Sequence, residues 1–96
     1  MNDESKLQSE YARGQEAKQL LEHPLLVEAF DAIQKEIDHQ WKTSKANDAD
    51  AREKLYLMNR LLLNLKGTIQ THVQTGQMAE IQIIQLRDKR QWFGRR

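Results

Sequence analysis

The sequence predicts an all-α fold, a helical hairpin or small bundle with one long central helix, and three observations lead there. Leu55, Met58, Leu62, Leu65, Ile69 and Val73 recur at spacings of three, four, three, four and four. That spacing lays one apolar seam along a helix of about seven turns. Charged residues make up 30% of the chain and apolar ones 39%, with one Pro and four Gly, a balance that suits exposed amphipathic helices better than a sheet. β-branched residues are sparse and no segment alternates with period two over a useful length.

Residues 1–5 are polar and are expected to fray. A first helix is expected from 4 to 22, where Leu7, Tyr11, Gly14, Ala17 and Leu21 share a face with small residues in its middle. Gly14 is either a weak spot or the place where a second backbone comes close. His23-Pro24 breaks the run, because proline disfavours the α conformation in the residue before it and suits the first position of a new helix. The second helix, 24 to 44, carries Leu26, Phe30, Ile33, Ile37 and Trp41 on one face, with Lys42 and Lys45 near its negative dipole end. Residues 45–50 form a connector rich in capping residues. Asp50 with Glu53 makes a capping-box pattern, and Asp48 competes with Asp50 for the cap.

The third helix is expected from 49 to 75, with Gly76 ending or loosening it. Leu57, Leu61 and Leu63 widen its seam beyond a two-stranded stripe, so it calls for partners on more than one side. A shorter fourth segment continues to about residue 87 through Met78, Ile81, Ile84 and Leu86. Residues 81–86 could alternatively form a short strand, since β-branched residues are enriched there. The organisation expected is thus one helical domain, 1–86, followed by a basic-aromatic C-terminal tail, 87–96.

A chain of 96 residues supports one domain and leaves a large share of its surface wet, which disfavours a deep dehydrated cleft. Cysteine is absent, so disulfides and thiolate chemistry are excluded together. The first twenty residues carry charges throughout and do not resemble a signal peptide, and the apolar runs, Leu61 to Leu63 among them, are far too short to span a bilayer. No membrane association is expected. The net charge of +1 hides an asymmetry: residues 1–50 hold eleven acidic and six basic side chains, residues 51–96 three acidic and nine basic. The two halves attract, which favours folding the first back on the second, or antiparallel contact in an oligomer.

Little points to catalysis, and the expectation is a non-enzymatic protein without cofactors. His23, His39 and His72 have no metal-site spacing, and no metal ligands are assigned. Glu36 and Asp38, or Asp48 and Asp50, sit two apart and so do not share a helix face. There is neither a phosphate-binding glycine loop nor a nucleophile elbow. Trp41 and Tyr56 flank the connector and are read as completing a small core, and Lys54 and Arg60 as solvated.

The tail is the most unbalanced stretch, with Arg87, Lys89, Arg90, Arg95 and Arg96 around Trp92 and Phe93. Disordered segments carry few aromatics, so the tail is expected to dock on something. Trp92 and Phe93 can fill a pocket on a protein, with the basic residues at its rim. The same residues could instead neutralise phosphates while an aromatic ring stacks on a base. The nearly neutral whole chain and the apolar seam favour protein.

Ala12–Ile33, with its Leu-Leu-Glu-His-Pro-Leu-Leu core, the connector Asn47–Tyr56 and the Thr75-Gly-Gln-Met-Ala-Glu segment together resemble small helical proteins encoded among the packaging and head-assembly genes of tailed bacteriophages and prophages. The resemblance covers roughly residues 10–80. It implies a structural or assembly-accessory role near capsid, portal or terminase, located in the host cytoplasm during assembly or in the virion, with no catalytic residues to carry over. A nucleic-acid-binding packaging factor and a phage inhibitor of a host protein are the alternatives. The apolar seam exceeds what one chain can cover. A homodimer or higher oligomer is therefore expected, with Leu55, Met58, Leu62, Leu65 and Ile69 at or near its interface.

Overall fold

A computed structural model describes the backbone of residues 2–94 and the side chains of residues 3–90. Three helices account for nearly all of it: α1, Asn2–Glu22; α2, Pro24–Thr43; and α3, Ala49–Gly94. The all-α expectation holds, and helices α2 and α3 form the antiparallel hairpin that the sequence implied.

α1 and α2 follow one another along the same side of α3. Glu4 pairs with Arg90, Gly14 touches Gly76, Phe30 lies under Lys66, Gln34 bonds Asn59, and Trp41 stacks on Arg52. As numbers rise through α1 and α2 they fall along α3. The molecule is therefore a doubled rod, 75 × 25 × 17 Å, whose length matches the roughly 69 Å of a 46-residue helix and whose width is that of two helices.

The single break between α1 and α2 is local chemistry. His23 has extended backbone angles, its Nδ1 accepts the Leu25 N–H at 3.2 Å, and Pro24 opens α2 where no amide donor is needed. At the other end of α2, the Ser44 hydroxyl donates to the Trp41 carbonyl at 2.7 Å and turns the chain into the connector. Asp48, not Asp50, caps α3: its Oδ1 accepts the Ala51 N–H at 3.1 Å and its carbonyl accepts the Arg52 N–H. Asp48→Ala is expected to lower stability by about 1 kcal/mol. Asp50→Ala should stay within about 0.5 kcal/mol of the parent. Thermal melts of the two variants compare the caps, and a larger loss in Asp50→Ala than in Asp48→Ala would return the role to Asp50.

The expected stop at Gly76 and the separate fourth segment are corrected. α3 runs unbroken through Gly76, and residues 81–86 are helical rather than extended. The reason lies in α1. A Cβ on Gly76 would sit 2.7 Å from the Cα of Gly14, and a Cβ on Gly14 would sit 2.9 Å from the His72 carbonyl oxygen. Gly76 is where two helix backbones touch, so its missing side chain serves packing and not termination.

Side-chain size grades the two halves of the rod. Between α1 and α3 the buried positions are small, Gly14, Ala17, Gly76 and Ala79 with Val73, and these helices approach more closely than α2 and α3 do. Between α2 and α3 the buried residues are bulky: Phe30, Ile37 and Leu62 form one cluster, with Leu21, Leu26 and Ile69 against it. The charge asymmetry contributes less than its size suggests. Among the described residues Glu4–Arg90 is the one ion pair between helices, and both partners are substantially exposed.

Candidate interaction surface

The seam used inside the chain accounts for only part of the apolar material on α3. Leu55 and Leu62 are buried at 5% and 6% exposure, Val73 is buried too, and Ile69 is half-buried. These positions belong to the intramolecular hairpin. Met58 and Leu65, read from the sequence as part of the same seam, are about half exposed. Their places are taken by polar residues one position along: Asn59 accepts a hydrogen bond from the Gln34 side chain at 3.1 Å, and the Lys66 ammonium lies 5.1 Å from the centre of the Phe30 ring. On α2, Gln34 replaces Ile33 in the seam by the same substitution of neighbours.

This shift of register leaves two apolar flanks on the α2–α3 half of the rod. One flank carries Val27, Trp41, Tyr56 and Leu63. Along it a groove is lined by Gln34, Asp38, Trp41, Tyr56 and Asn59, and a second groove contains Asp31 and Lys66. Trp41 and Tyr56 do not close a core as expected. They are 44% and 58% exposed, and the Arg52 guanidinium stacks 4.6 Å from the Trp41 ring centre. The opposite flank begins at a groove between Gln40, Ser44, Ala51, Lys54 and Met58. It continues along the helical repeat through Met58, Leu61 and Leu65 on α3 and through Ile33, one heptad before Gln40, on α2.

Fifteen large apolar side chains are more than a third exposed among the described residues, against seven buried apolar ones, two of them alanines. A compact monomer of this size exposes about 5,700 Å²; this chain exposes 7989 Å². The water-facing side of α3 is also poor in charge. From Leu61 to Leu86 the formally charged residues are Lys66 and Glu80, and the remainder is largely Gln, Thr, Asn and aliphatic side chains.

Of the tail residues, Arg87, Lys89 and Arg90 lie on the last described turns of α3, exposed, with the Arg90 guanidinium donating to the Glu4 carboxylate. The side chains of Trp92, Phe93, Arg95 and Arg96 fall outside the described residues, so the aromatic anchor expected there has no geometry to compare. The described part of the basic segment is a continuation of α3, not a separate extension after it. Leu7, Gln82, Leu86 and Lys89 line a shallow groove beside it.

No family model matches the chain, and neither do any curated protein or solved structure. Among the described residues there is no group of three His, Asp or Glu side chains placed to hold a metal ion, and no helix long and apolar enough to cross a membrane.

The flanks escaped sequence reasoning because counting apolar residues cannot tell which of two adjacent stripes faces the partner helix. The signal that could have found them is the pairing of polar residues: Gln34 with Asn59 is a matched, partly buried couple that only an antiparallel alignment brings together.

Proposed function

We propose that this protein is a non-enzymatic phage structural or assembly-accessory protein that self-associates along its apolar flanks and docks on a protein partner through its C-terminal segment. The observation that carries the reading is the two-helix cross-section: a doubled rod can cover each helix on one side only, and large apolar side chains of α2 and α3 stay exposed on the uncovered sides. Surfaces of this kind become useful in symmetric assemblies, where a modest contact repeated many times gains strength by avidity. The assignment to phage particles, with capsid, portal or terminase as the partner, rests on the resemblance of residues 10–80 to packaging-region proteins.

The second reading is a packaging accessory factor that touches nucleic acid. It is favoured by the exposure of Arg87, Lys89 and Arg90 within about one turn at one pole of the rod. Light scattering after gel filtration, with and without duplex DNA at low and moderate salt, separates the two. We expect an oligomer that ignores DNA at both salt concentrations. A DNA complex that disappears when salt is raised and when Arg87, Lys89 and Arg90 are changed to Gln would replace the first reading by the second.

A further inference from the structure

We infer that the flank formed by Ile33, Met58, Leu61 and Leu65 is the self-association surface, and that its occupant is the same flank of a second copy. The inference rests on the proposed self-association and names the surface and the partner.

Area comes first. The chain exposes 7989 Å²; this is about 2,300 Å² above a compact monomer of its size. Obligate homodimers bury about 1,000–2,500 Å² on each partner, so one further copy laid along the rod would absorb the excess. Placing two hairpins flank to flank converts a two-helix cross-section into a four-helix one, the smallest arrangement that gives each long helix neighbours on two sides.

The choice between flanks follows from charge and satisfied polar groups. The Val27–Tyr56 flank is interrupted by Asp31, Asp38 and Lys66, and Asp38 is already engaged by the Gln34 amide at 3.0 Å. Burying it would strip water from those charged groups. On the opposite flank Lys45, Asp48 and Lys54 line the connector end of the groove beside Met58, and Glu36, one turn beyond Ile33, accepts the Gln40 amide at 2.8 Å, but the α3 stripe past Met58 carries no charge. Met58, Leu61 and Leu65 are 46%, 68% and 52% exposed, Ile33 is 46% exposed, and the same helical stripe continues through Thr68, His72 and Thr75 without a formal charge.

A self-partner fits better than a foreign one for two reasons. Both helices contribute aliphatic side chains to the flank, so it is complementary to itself without any matching charge pattern. A net charge of +1 also puts almost no electrostatic penalty on bringing copies together.

The absence of cysteine makes the test direct, because each introduced thiol is the only one in its chain. Sedimentation equilibrium of the full chain and of Leu61→Glu, with circular dichroism to follow the fold, reads the assembly. Leu61→Cys, Leu63→Cys and Leu25→Cys, each treated with a short bismaleimide, read the face. The expected result is a wild-type oligomer, at least a tenfold weaker association for Leu61→Glu at unchanged helicity, and covalent dimers from Leu61→Cys but not from the other two. An oligomer indifferent to Leu61→Glu, with cross-linking at Leu63 or Leu25 instead, overturns this surface and leaves the proposed self-association standing. A wild-type chain that stays monomeric across the concentration range overturns both. Loss of helicity in Leu61→Glu shifts the decision to the cysteine variants, which introduce no charge.

Discussion

Alanine at Gly76 is expected to destabilise the protein and alanine at Gly67 to stabilise it, although both glycines lie inside the same helix. In an α-helix the change from Gly to Ala gains about 1 kcal/mol through lost backbone freedom in the unfolded chain. Gly67 has nothing within 4 Å of the new methyl group and keeps that gain. At Gly76 the methyl group would meet the Gly14 Cα at 2.7 Å, and backbone atoms cannot swing aside as a side-chain tip can. Helices α1 and α3 must separate, at a cost of about 1–3 kcal/mol before the helix gain is returned. Leucine at Gly76 is expected to release α1 altogether. Gly14→Ala mirrors Gly76→Ala, and the double variant costs less than the two singles combined, since the first methyl group has already opened the crossing. Urea unfolding midpoints of the four alanine variants provide the measurement; a Gly76→Ala protein as stable as Gly67→Ala would mean that the two backbones do not touch.

Removing the Phe30 ring is the second large effect. Phe30 is buried at 7% exposure, packs with Ile37 and Leu62, and supports the Lys66 ammonium on its face. Phe30→Ala forfeits the transfer term and leaves a cavity, together about 3–5 kcal/mol. A domain of this length has roughly 5–15 kcal/mol to lose. The α2–α3 half is therefore expected to be largely undocked near physiological temperature, visible as early loss of cooperativity in a thermal melt. Leu25, in the same helix, is 70% exposed, and Leu25→Ala is expected to change stability by less than about 0.5 kcal/mol. Similar losses at the two positions would place the core elsewhere.

Several parts of the fold could be read directly from residues. His23-Pro24 carries its own instruction to break and restart a helix, and the observed boundary falls there. The face Leu7, Tyr11, Gly14, Ala17 and Leu21 is the face buried on α3, and the alternative that Gly14 admits a second backbone is the one realised. These features depend on residues within a turn or two of one another. What could not be read depends on distant pairs. Gly76 looks like a helix end to any local rule, and only contact with Gly14 in another helix makes it a crossing point. Met58 and Leu65 fit the apolar repeat as well as the residues that are actually buried. The register was decided by Gln34 with Asn59 and by Phe30 with Lys66, whose partners lie on the other helix.

Doubling back only once has a mechanical consequence. Asn2 and Gly94 arrive at the same pole, while the connector between Ser44 and Asp48 stands at the opposite one, about 65–70 Å away along α3. A partner gripping the carboxyl end would hold the connector at a fixed stand-off, as a strut holds its tip. Fusions at either terminus crowd the gripping pole and leave the far tip clear, so a bulky N-terminal tag is expected to block tail docking while a probe on the connector reports on it undisturbed.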